Sequence, residues 1–267
     1  MAARRLALLA LPLAVLGGCA TAPGGGTLLA STPIVHRLDR ETADVVEVAR
    51  FSRLQAGADL PEGWMPWGMG AGRQPTRYRI GRVGDDVALE ANADRAGTGL
   101  NRDIRVDPHR QSILEWRWRV DSLTPDADMH YARQDDSAAR LVVAFHGDPA
   151  KLDFDDRAKL RIAKALIGEA LPYAILMYVW ANDVPVGTVI PSPHFSRIKL
   201  IVVESGPAHL GQWVGYRRNV LEDYRRAFGE DPGDIVSVGV LTDSDSPGHV
   251  AHDYYGDISL SLSTSTR

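Results

Sequence analysis

The stretch ILEWRWRVD, at Ile113–Asp121, constrains the fold more than any other part of the chain. Apolar side chains alternate in it with charged ones. Because successive side chains of an extended strand point to opposite faces, this period of two predicts a half-buried antiparallel strand. The apolar positions are Leu114, Trp116, Trp118 and Val120, and the charged ones are Glu115, Arg117, Arg119 and Asp121.

Short segments with strand character recur along the chain, and turn residues separate them. VGDD at residues 83–86 joins two of these segments with the chemistry of a β-hairpin. The further predicted strands are Val45–Phe51, Arg77–Arg82, Val87–Ala91, Arg140–His146, Ala174–Trp180, Arg197–Glu204, Ile235–Leu241 and Tyr254–Leu262.

Two segments have helical spacing instead. Phe154–Glu169 begins with acids, continues with bases and has a glycine near its end, the order that the helix dipole favours. Asn219–Gly229 spaces its apolar residues four apart and stops at a glycine. Many short strands and two helices predict a mostly β protein, a jelly-roll-type antiparallel β-sandwich with two inserted α-helices. A doubly wound α/β fold would need helices that alternate regularly with strands.

The N-terminal residues MAARRLALLALPLAVLGGC have the parts of an export signal. Arg4 and Arg5 form a positive region, and the apolar run at 6–16 is too short to span a bilayer. The run Leu-Gly-Gly-Cys ending at Cys19 resembles the bacterial lipobox, in which the cysteine becomes the lipidated first residue. We therefore expect a signal peptide at 1–18, a lipidated N-terminus and flexible tether at 19–33, and a single β-sandwich domain at 34–267.

Cys19 is the only cysteine, so the domain that follows has neither disulfides nor thiol catalysis. Ala20 is not the aspartate that retains bacterial lipoproteins in the inner membrane, so we expect outer-membrane attachment facing the periplasm. After residue 18 the chain has 28 basic and 34 acidic residues, a balance of −6. This charge disfavours nucleic acid as a partner and disfavours flat binding to anionic lipid, so the acyl chains would provide the membrane contact.

The stretch TDSDSPGHVAHDYYGDI near the C-terminus collects aspartates and histidines. Asp243 and Asp245 lie in a predicted turn, before a proline and a glycine. They are candidates for ligand contact. HVAH, at His249–His252, is expected in a loop, and it lacks the glutamate and the helix of the zinc-protease pattern.

The side-chain pattern of the closing strand predicts the face of the sheet on which Asp257 lies. Tyr254, Gly256 and Ile258 share the parity of its apolar residues, so Asp257 is expected to point away from the core. It then lies on a solvated face, lines the concave face of the sandwich, or ligates a structural calcium ion. A zinc site formed by His249, His252 and Asp253 is a second metal hypothesis.

Three more carboxylates are candidates for ligand contact or for acid–base chemistry. Asp135 and Asp136 precede the strand that begins at residue 140, and Glu204 lies at the end of another strand. Adjacent acids can bind a sugar hydroxyl, but they are also common loop residues. Glycosidases need two carboxylates at a set separation, and neither the alternating acids of the common sandwich glycosidases nor a Gly-x-Ser-x-Gly elbow occurs.

The charged side of the predicted strand Ile113–Asp121 is the remaining candidate. Arg117 and Arg119 could form cross-strand ion pairs with acids, which are worth little at a surface. On a concave face beside exposed aromatic rings, they would instead form a floor that binds a glycan or an acid. Trp180 and Asn182, in YVWAN, are the residues that we expect to join them. The other aromatic candidates are Trp64, Trp67 and Trp213.

Several phrases, taken in order, resemble a known family. They are LPEGW, ILEWRWRVD, DDSAARLVVAF, YVWAN, IVVESG, RNVLEDYRRAFGEDP, TDSDSPG and YYGDI. They resemble the bacterial family catalogued as domain of unknown function 3047, over residues 45–262. The resemblance implies an exported, β-rich domain and transfers no catalytic residue. LPEGW after an opening strand and the closing Asp-Ile pair are also similar to carbohydrate-binding jelly rolls, in fold pattern only.

Three hypotheses about function follow. The leading one is a lipoprotein whose β-sandwich binds a glycan or another envelope component without catalysis. The second is a glycan-acting hydrolase or lyase that uses paired carboxylates. The third is an assembly or scaffold lipoprotein whose helices bind a protein. An open groove with tryptophan favours the first, two acids facing each other across a cleft favour the second, and an exposed apolar helix stripe favours the third.

Overall fold

The structure, a computed structural model, describes residues 38–68, 74–167, 171–244 and 249–263, with backbone only at 68 and 163–167. Every described residue belongs to one compact unit, Pro33–Arg267. Its strands are β1 (Val45–Ala49), β2 (Trp64–Gly68), β3 (Arg77–Val83), β4 (Asp86–Asp94), β5 (Thr98–Val106), β6 (Ile113–Val120), β7 (Arg140–Phe145), β8 (Ala174–Ala181), β9 (Val189–Pro191), β10 (Ile198–Ser205), β11 (Trp213–Asn219), β12 (Ile235–Leu241) and β13 (Val250–Ser261). Its helices are α1 (Phe154–Ile167) and α2 (Val220–Phe228).

The strands form two sheets. Sheet A has the order β11-β6-β13-β4-β3, with β1 also paired to β13. Sheet B has the order β2-β5-β12-β7-β8-β10-β9. Every pairing within them is antiparallel except that of β8 with β10, which is parallel because the chain passes through β9 between them. The predicted mostly β sandwich with two helices is confirmed, with this one departure from antiparallel pairing.

The main core lies between the two sheets and is rich in aromatic rings. Trp118 on β6 is fully buried and faces Trp180 on β8, with ring centroids 6.5 Å apart. Trp116, two residues earlier, lies 5.0 Å from the ring of Tyr178. Full burial of side chains of this size stabilises a fold by about 2–3 kcal/mol each. The alternation in β6 therefore directs its tryptophans into the sandwich and its charges outward.

Sheet B has a second apolar cluster on its other face. Val142, Met177 and Leu200 belong to this cluster, together with Phe195 from the segment before β10. Leu160 of α1 packs against both clusters. Strands β7 and β8 are therefore buried on both faces, which explains why they are almost continuously apolar.

A β-bulge in β13 reverses the side-chain parity of that strand. Tyr255 pairs with Trp118 and Ile258 pairs with Trp116, so two residues of β13 lie opposite the single residue Arg117. Gly256 occupies the bulge because a Cβ at that position would lie 2.5 Å from the Cγ of Arg117.

The single parity predicted for the closing strand was therefore wrong for its first half. Tyr255 and Asp253 point into the core, whereas Tyr254 lies on the outer face, opposite Arg119. Beyond the bulge, Ile258 is buried and Asp257 lies on the outer face. The loop predicted at HVAH was also wrong at its end, since His252 lies in β13 and pairs with Asn92.

Four strands were not predicted, namely β2, β5, β9 and β11. The middle of β5 is polar for a specific reason, because the Arg102 Nη1 donates to the carbonyl oxygens of Glu47 (3.0 Å) and Val48 (2.8 Å). Strand β11 is an edge strand with half-exposed side chains, so it lacks an apolar repeat. Tertiary contacts thus decide these strands, and local sequence does not.

Both predicted helices are present. The Asn219 side chain accepts a hydrogen bond from the Glu222 N–H (3.3 Å) at the start of α2, and Gly229 ends that helix in the left-handed conformation, with φ 73°. Val220 and Tyr224 bury the inner side of α2. Among the described residues, no helix is long and apolar enough to cross a bilayer.

Gly239 tests the register of sheet B. It lies in β12 between β5 and β7, and a Cβ there would be 2.7 Å from the Leu100 carbonyl oxygen and 3.0 Å from the Asn101 Cα. Since both are backbone atoms, Gly239→Ala is expected to lower the free energy of unfolding by about 2 kcal/mol in urea titrations. The control is Gly215→Ala, where the Cβ would lie 3.9 Å from the Trp116 carbonyl oxygen. Equal losses in the two variants would contradict the described packing.

Candidate functional site

Polar side chains concentrate at one end of the sandwich, which we call the loop end. Strands β6, β8, β10 and β12 finish there and β7 and β13 begin there, as the strand register shows. Nine of the fourteen buried polar side chains in the described chain lie at this end, namely Thr76, Thr124, Asp136, Ser137, Arg140, Thr242, Asp243, Ser244 and Asp253. Buried polar groups cost stability unless they are paired, so their concentration marks this end as a candidate site.

Arg140 is the centre of the loop end. It begins β7 and is only 4% exposed. One Nη donates to the Asp135 carbonyl oxygen and lies 3.9 Å from an Asp243 carboxylate oxygen, while the other lies 4.0 Å from the Met177 sulfur. Its Nε has no hydrogen-bond partner in the described part of the chain. A guanidinium buried in this way requires nearby carboxylates, and Asp243 provides one.

Arg140 therefore connects Asp135, through its carbonyl oxygen, with Asp243, although about a hundred residues separate the two acids. The Asp135 carboxylate lies 3.0 Å from the His194 Nε2, and its side chain is 16% exposed. Asp136 is 1% exposed and Asp243 is 6% exposed. The structure thus brings the Asp135 carbonyl group and the Asp243 carboxylate to one buried guanidinium, and it leaves little of Asp135, Asp136 and Asp243 open to a ligand.

A buried hydrogen-bond network lies behind this cluster, inside the sandwich. The Thr242 Oγ1 lies 3.0 Å from the Asp253 Oδ2 and 2.8 Å from the Tyr255 hydroxyl, which donates to the Leu241 carbonyl oxygen. Burial raises the pKa of Asp253 well above its usual value, and the nearby charge of Asp121 raises this pKa further. Asp253 is fully buried, and its Oδ1 has no hydrogen-bond partner in the described part of the chain. The raised pKa favours the protonated form of this carboxyl group.

Trp180, Asn182 and Glu204 lie at the same end without forming an open site. Trp180 is 1% exposed, and its Nε1 donates to the Gly206 carbonyl oxygen. The Asn182 Nδ2 donates to the Thr124 carbonyl oxygen at 2.9 Å. The Glu204 Oε2 lies 3.1 Å from the Tyr216 hydroxyl and 3.2 Å from the His209 Nδ1. Burial raises the pKa of Tyr216, so its hydroxyl remains a donor to Glu204.

The outer face of sheet A is the second candidate region. Each of its predicted charges has an opposite charge nearby. Arg117 donates to Asp86 at 2.7 Å, Arg119 donates to Asp121 at 2.9 Å, and Arg217 donates to Glu115 at 3.1 Å. Arg117 also lies over the ring of Trp213, 4.4 Å from its centroid. These three ion pairs orient the guanidinium groups of Arg117, Arg119 and Arg217 on the sheet.

A ladder of charges continues across the same face. The His252 Nδ1 lies 3.1 Å from the Asp121 carboxylate, and its Nε2 lies 3.1 Å from the Glu90 carboxylate. Two hydrogen bonds from Arg79, with a smaller contribution from Asn92 and His252, lower the pKa of Glu90 to about 2. The outer face is therefore charged at neutral pH, and its charges are organised across β6, β13, β4 and β3.

Asp257 fastens a neighbouring segment to this face. Its carboxylate accepts hydrogen bonds from the Ser52 N–H (2.9 Å) and the Ser52 hydroxyl (2.6 Å), and lies 3.7 Å from the Arg50 guanidinium. Ser52 belongs to the 3₁₀ turn at residues 51–53, and Arg50 is the residue before that turn. In the described part of the chain, no three His, Cys, Asp or Glu side chains are grouped to hold a metal ion, so calcium at Asp257 stays a prediction.

An open depression lies on the outer face between β11, β6 and β13. It has a volume of about 440 Å³, and we call it the sheet A depression. Its lining residues are Glu115, Trp116, Arg117, Gly215, Tyr216, Arg217, Asp257 and Ser259. Gly215 lies opposite Arg117 in the strand register, and its missing side chain leaves the space above the sheet open. The side chains of Glu115 and Arg217 are 45% and 49% exposed, whereas the side chain of Arg140 is 5% exposed.

The structure leaves two predicted sites untested and adds residues that were not predicted. Cys19 and Asp245 lie outside the described residues. Arg140, Arg217 and Gly215 were not predicted as site residues. The sequence pattern did not single out Arg140 because it begins an apolar strand, and a charged residue at that position usually only marks the end of the strand. Its position after two acids was the available signal, since a buried strand end tolerates an arginine only beside carboxylates.

Asp253 provides a pH test of the buried network. Its raised pKa means that, above the ordinary aspartate pKa, the folded state holds a proton that the unfolded state has released. The contribution of Asp253 to the free energy of unfolding is therefore greatest in acid. It falls by up to about 1.4 kcal/mol per pH unit as the pH rises toward the pKa of Asp253 in the folded protein. Asp253→Asn is expected to remove that fall, so its stability relative to the natural chain should improve from pH 4 to pH 7.

The measurement is urea unfolding of both proteins across that pH range, with exposed Asp59→Asn as the control. A difference between Asp253→Asn and the natural chain that stays constant with pH would show that Asp253 is not buried in its protonated form.

Comparisons with known proteins place the chain in a family. The model of the family described as “Protein of unknown function (DUF3047)” matches residues 62–259. No curated protein matches the chain. The glycoside hydrolase domain of Endo-D from Streptococcus pneumoniae R6 is similar over 75% of this chain and 22% of its own, with 11% identity and a TM-score of 0.31. An agarase, AgWH50C, is similar over 84% of this chain and 25% of its own, with 10% identity and a TM-score of 0.30.

The chain spans a quarter or less of the length of these two solved structures. The family match, in contrast, covers most of this chain and includes nearly all of both sheets. The chain therefore belongs to the DUF3047 family.

Proposed function

We propose that this protein is a lipid-anchored, periplasm-facing glycan-binding protein without catalytic activity, and that its ligand occupies the sheet A depression. One observation supports the site above all. The depression is open, and charged side chains of both signs line it in fixed positions, whereas the acids of the loop end are nearly all buried.

The lining chemistry suits a ligand that is rich in hydroxyl groups. A hydroxyl both donates and accepts, so it can bond to a carboxylate and a guanidinium at once. Glu115 and Arg217 present such a pair across β6 and β11, and Asp257 and Ser259 present acceptors from β13. The ion pairs hold these groups in place before a ligand arrives, which reduces the ordering cost of binding.

Trp213 supports the same proposal. It is a half-exposed tryptophan on the outer face, and it lies beside the depression with the Arg117 guanidinium over its ring. An aromatic ring next to fixed polar groups offers a sugar one apolar face and several hydrogen bonds. The contacts on this face therefore support a recognition surface rather than a bare solvated sheet.

The hydrolase alternative receives less support. Glycosidases need two carboxylates on opposite sides of a substrate. Asp135 is paired with His194, Glu204 with Tyr216 and His209, and Asp243 lies near Arg140. These contacts describe carboxylates that hold the loop end together, and burial separates Asp136 and Asp243 from solvent.

The envelope location rests on the N-terminal sequence. The signal peptide at 1–18 and the lipobox cysteine at Cys19 would place acyl chains at the start of a tether, with the sandwich after it. A glycan-binding domain held in this way would link the membrane to a polysaccharide of the envelope.

Gly215→Leu tests the depression. Gly215 has open space above it, so a leucine side chain should fill the depression with little effect on stability. We expect the affinity for the bound glycan to fall at least about tenfold, since displaced ligand atoms lose their hydrogen bonds. The measurement is an array of peptidoglycan fragments and envelope oligosaccharides, followed by calorimetry on the best ligand.

Arg217→Gln should weaken the same binding, and the matched control is Arg95→Gln, whose partner Asp94 lies outside the depression. Unchanged affinity in Gly215→Leu and Arg217→Gln would place the ligand elsewhere. Sugar release from peptidoglycan by the natural chain, lost on Asp135→Asn, would favour the hydrolase instead.

Cys19→Ala tests the anchor. Without the cysteine no acyl chain can be attached, so we expect the full chain to lose its lipid label and to leave the membrane fraction. The readout is incorporation of a labelled fatty acid together with membrane fractionation. A Cys19→Ala protein that still incorporates the label would contradict lipidation at this residue.

A further inference from the structure

The outward side of α1 carries an apolar stripe that nothing in the described chain covers. Phe154 is 74% exposed and Ile162 is 59% exposed, and Ala158 stands between them at the same four-residue spacing. A shallow groove on this side is lined by these three residues with Arg157 and Arg161. Large apolar side chains seldom stay exposed together on one helix side unless they have a partner.

The inward side of α1 fixes how the stripe is presented. Asp156 is buried and hydrogen-bonds to the Ser196 hydroxyl, and Leu160 packs against both apolar clusters. Because these two residues lie two positions from the stripe residues, they face the opposite side of the helix. The stripe is therefore held outward on a rigid element, where it extends about 12 Å from Phe154 to Ile162.

Basic side chains flank the stripe. Arg157 and Arg161 line its groove, whereas the exposed Lys159, two residues from each of them, lies on a different side of the helix. The Arg157 Nε donates to the Asp153 carbonyl oxygen. This basic patch contrasts with the balance of −6 in the chain after residue 18. Charge complementarity thus favours an anionic surface over this side of the domain.

We propose that the outward side of α1 docks on the surface of a bilayer that contains anionic phospholipid. Phe154 and Ile162 enter the boundary between headgroups and acyl chains, while the arginines bind phosphate groups with their stems along the same boundary. The described stripe has three apolar side chains, whereas a standard protein interface uses about 20–30 residues a side, so this side of α1 suits a lipid surface better than a stable protein interface.

Tethering makes such a weak contact effective, and this step rests on the proposed lipid anchor. The nineteen residue-to-residue steps from Cys19 to Leu38 can extend at most about 65 Å, so the domain stays close to the membrane. At the high effective concentration that a short tether creates, a contact of modest strength is occupied most of the time. Docking would then hold the sandwich in a defined orientation. The negative net charge predicted no flat binding, and the local charge of α1 is the reason to revise that expectation.

Flotation with vesicles tests the docking apart from the anchor. The compact unit Pro33–Arg267 contains every described residue and lacks Cys19, so any binding it shows is independent of lipidation. We expect it to bind vesicles of phosphatidylcholine with phosphatidylglycerol, to bind phosphatidylcholine alone much less, and to be released by high salt. Arg157→Gln with Arg161→Gln should weaken this binding about 30-fold. Phe154→Ser with Ile162→Ser should weaken it about tenfold.

The matched control is Val186→Ser with Tyr131→Ser, which removes two equally exposed apolar side chains from other segments and should leave binding unchanged. No vesicle binding, equal binding to both vesicle types, or equal loss in the control would overturn the proposal. Cross-linking to an envelope protein that depends on Phe154 and Ile162, without vesicle binding, would assign the stripe to a protein partner. Glycan binding should be the same in all these variants, so failure of the docking leaves the sheet A depression untouched.

Discussion

The packing of the β6 tryptophans against sheet B is the interaction on which the rest of the structure depends. Trp116 and Trp118 insert between the sheets and contact Tyr178 and Trp180. Removing a buried ring of this size typically costs about 3–5 kcal/mol, a large share of the stability of a domain. Because side chains alternate along a strand, the same packing directs Arg117 and its charged neighbours to the outer face, where the sheet A depression lies.

The bulge in β13 links the core to both polar regions. Before the bulge, Asp253 points into the sandwich and joins Thr242 in the buried network of the loop end. After it, Asp257 lies on the outer face and lines the depression. One inserted residue thus sends two aspartates of the same strand to opposite sides of sheet A. Asp253 belongs to the buried hydrogen-bond network, and Asp257 belongs to the proposed binding surface.

Alternation and helix signals were sufficient to predict the sandwich, its two helices and the direction of the β6 charges. They failed where tertiary contacts decide, as in β5, whose Arg102 bonds to the carbonyl groups of β1, and at the bulge, which no local pattern announces. The acids Asp135, Asp136 and Asp243 were found by residue type, but the approach of Asp135 and Asp243 to Arg140 depends on the pairing of β7 with β12. The depression depends on Gly215, whose role appears only when its neighbour across the strand is known.

The central claim is that a glycan binds beside Trp213, and the indole N–H signals of the tryptophans in an NMR titration test it most directly. The probe is a soluble peptidoglycan fragment added to the unit Pro33–Arg267, which contains all six tryptophans. The account predicts a saturable shift of the Trp213 signal, with the buried Trp118 and Trp180 signals unmoved. Saturable binding that leaves the Trp213 signal unmoved and shifts the His194 signals would contradict it and place the ligand at the loop end.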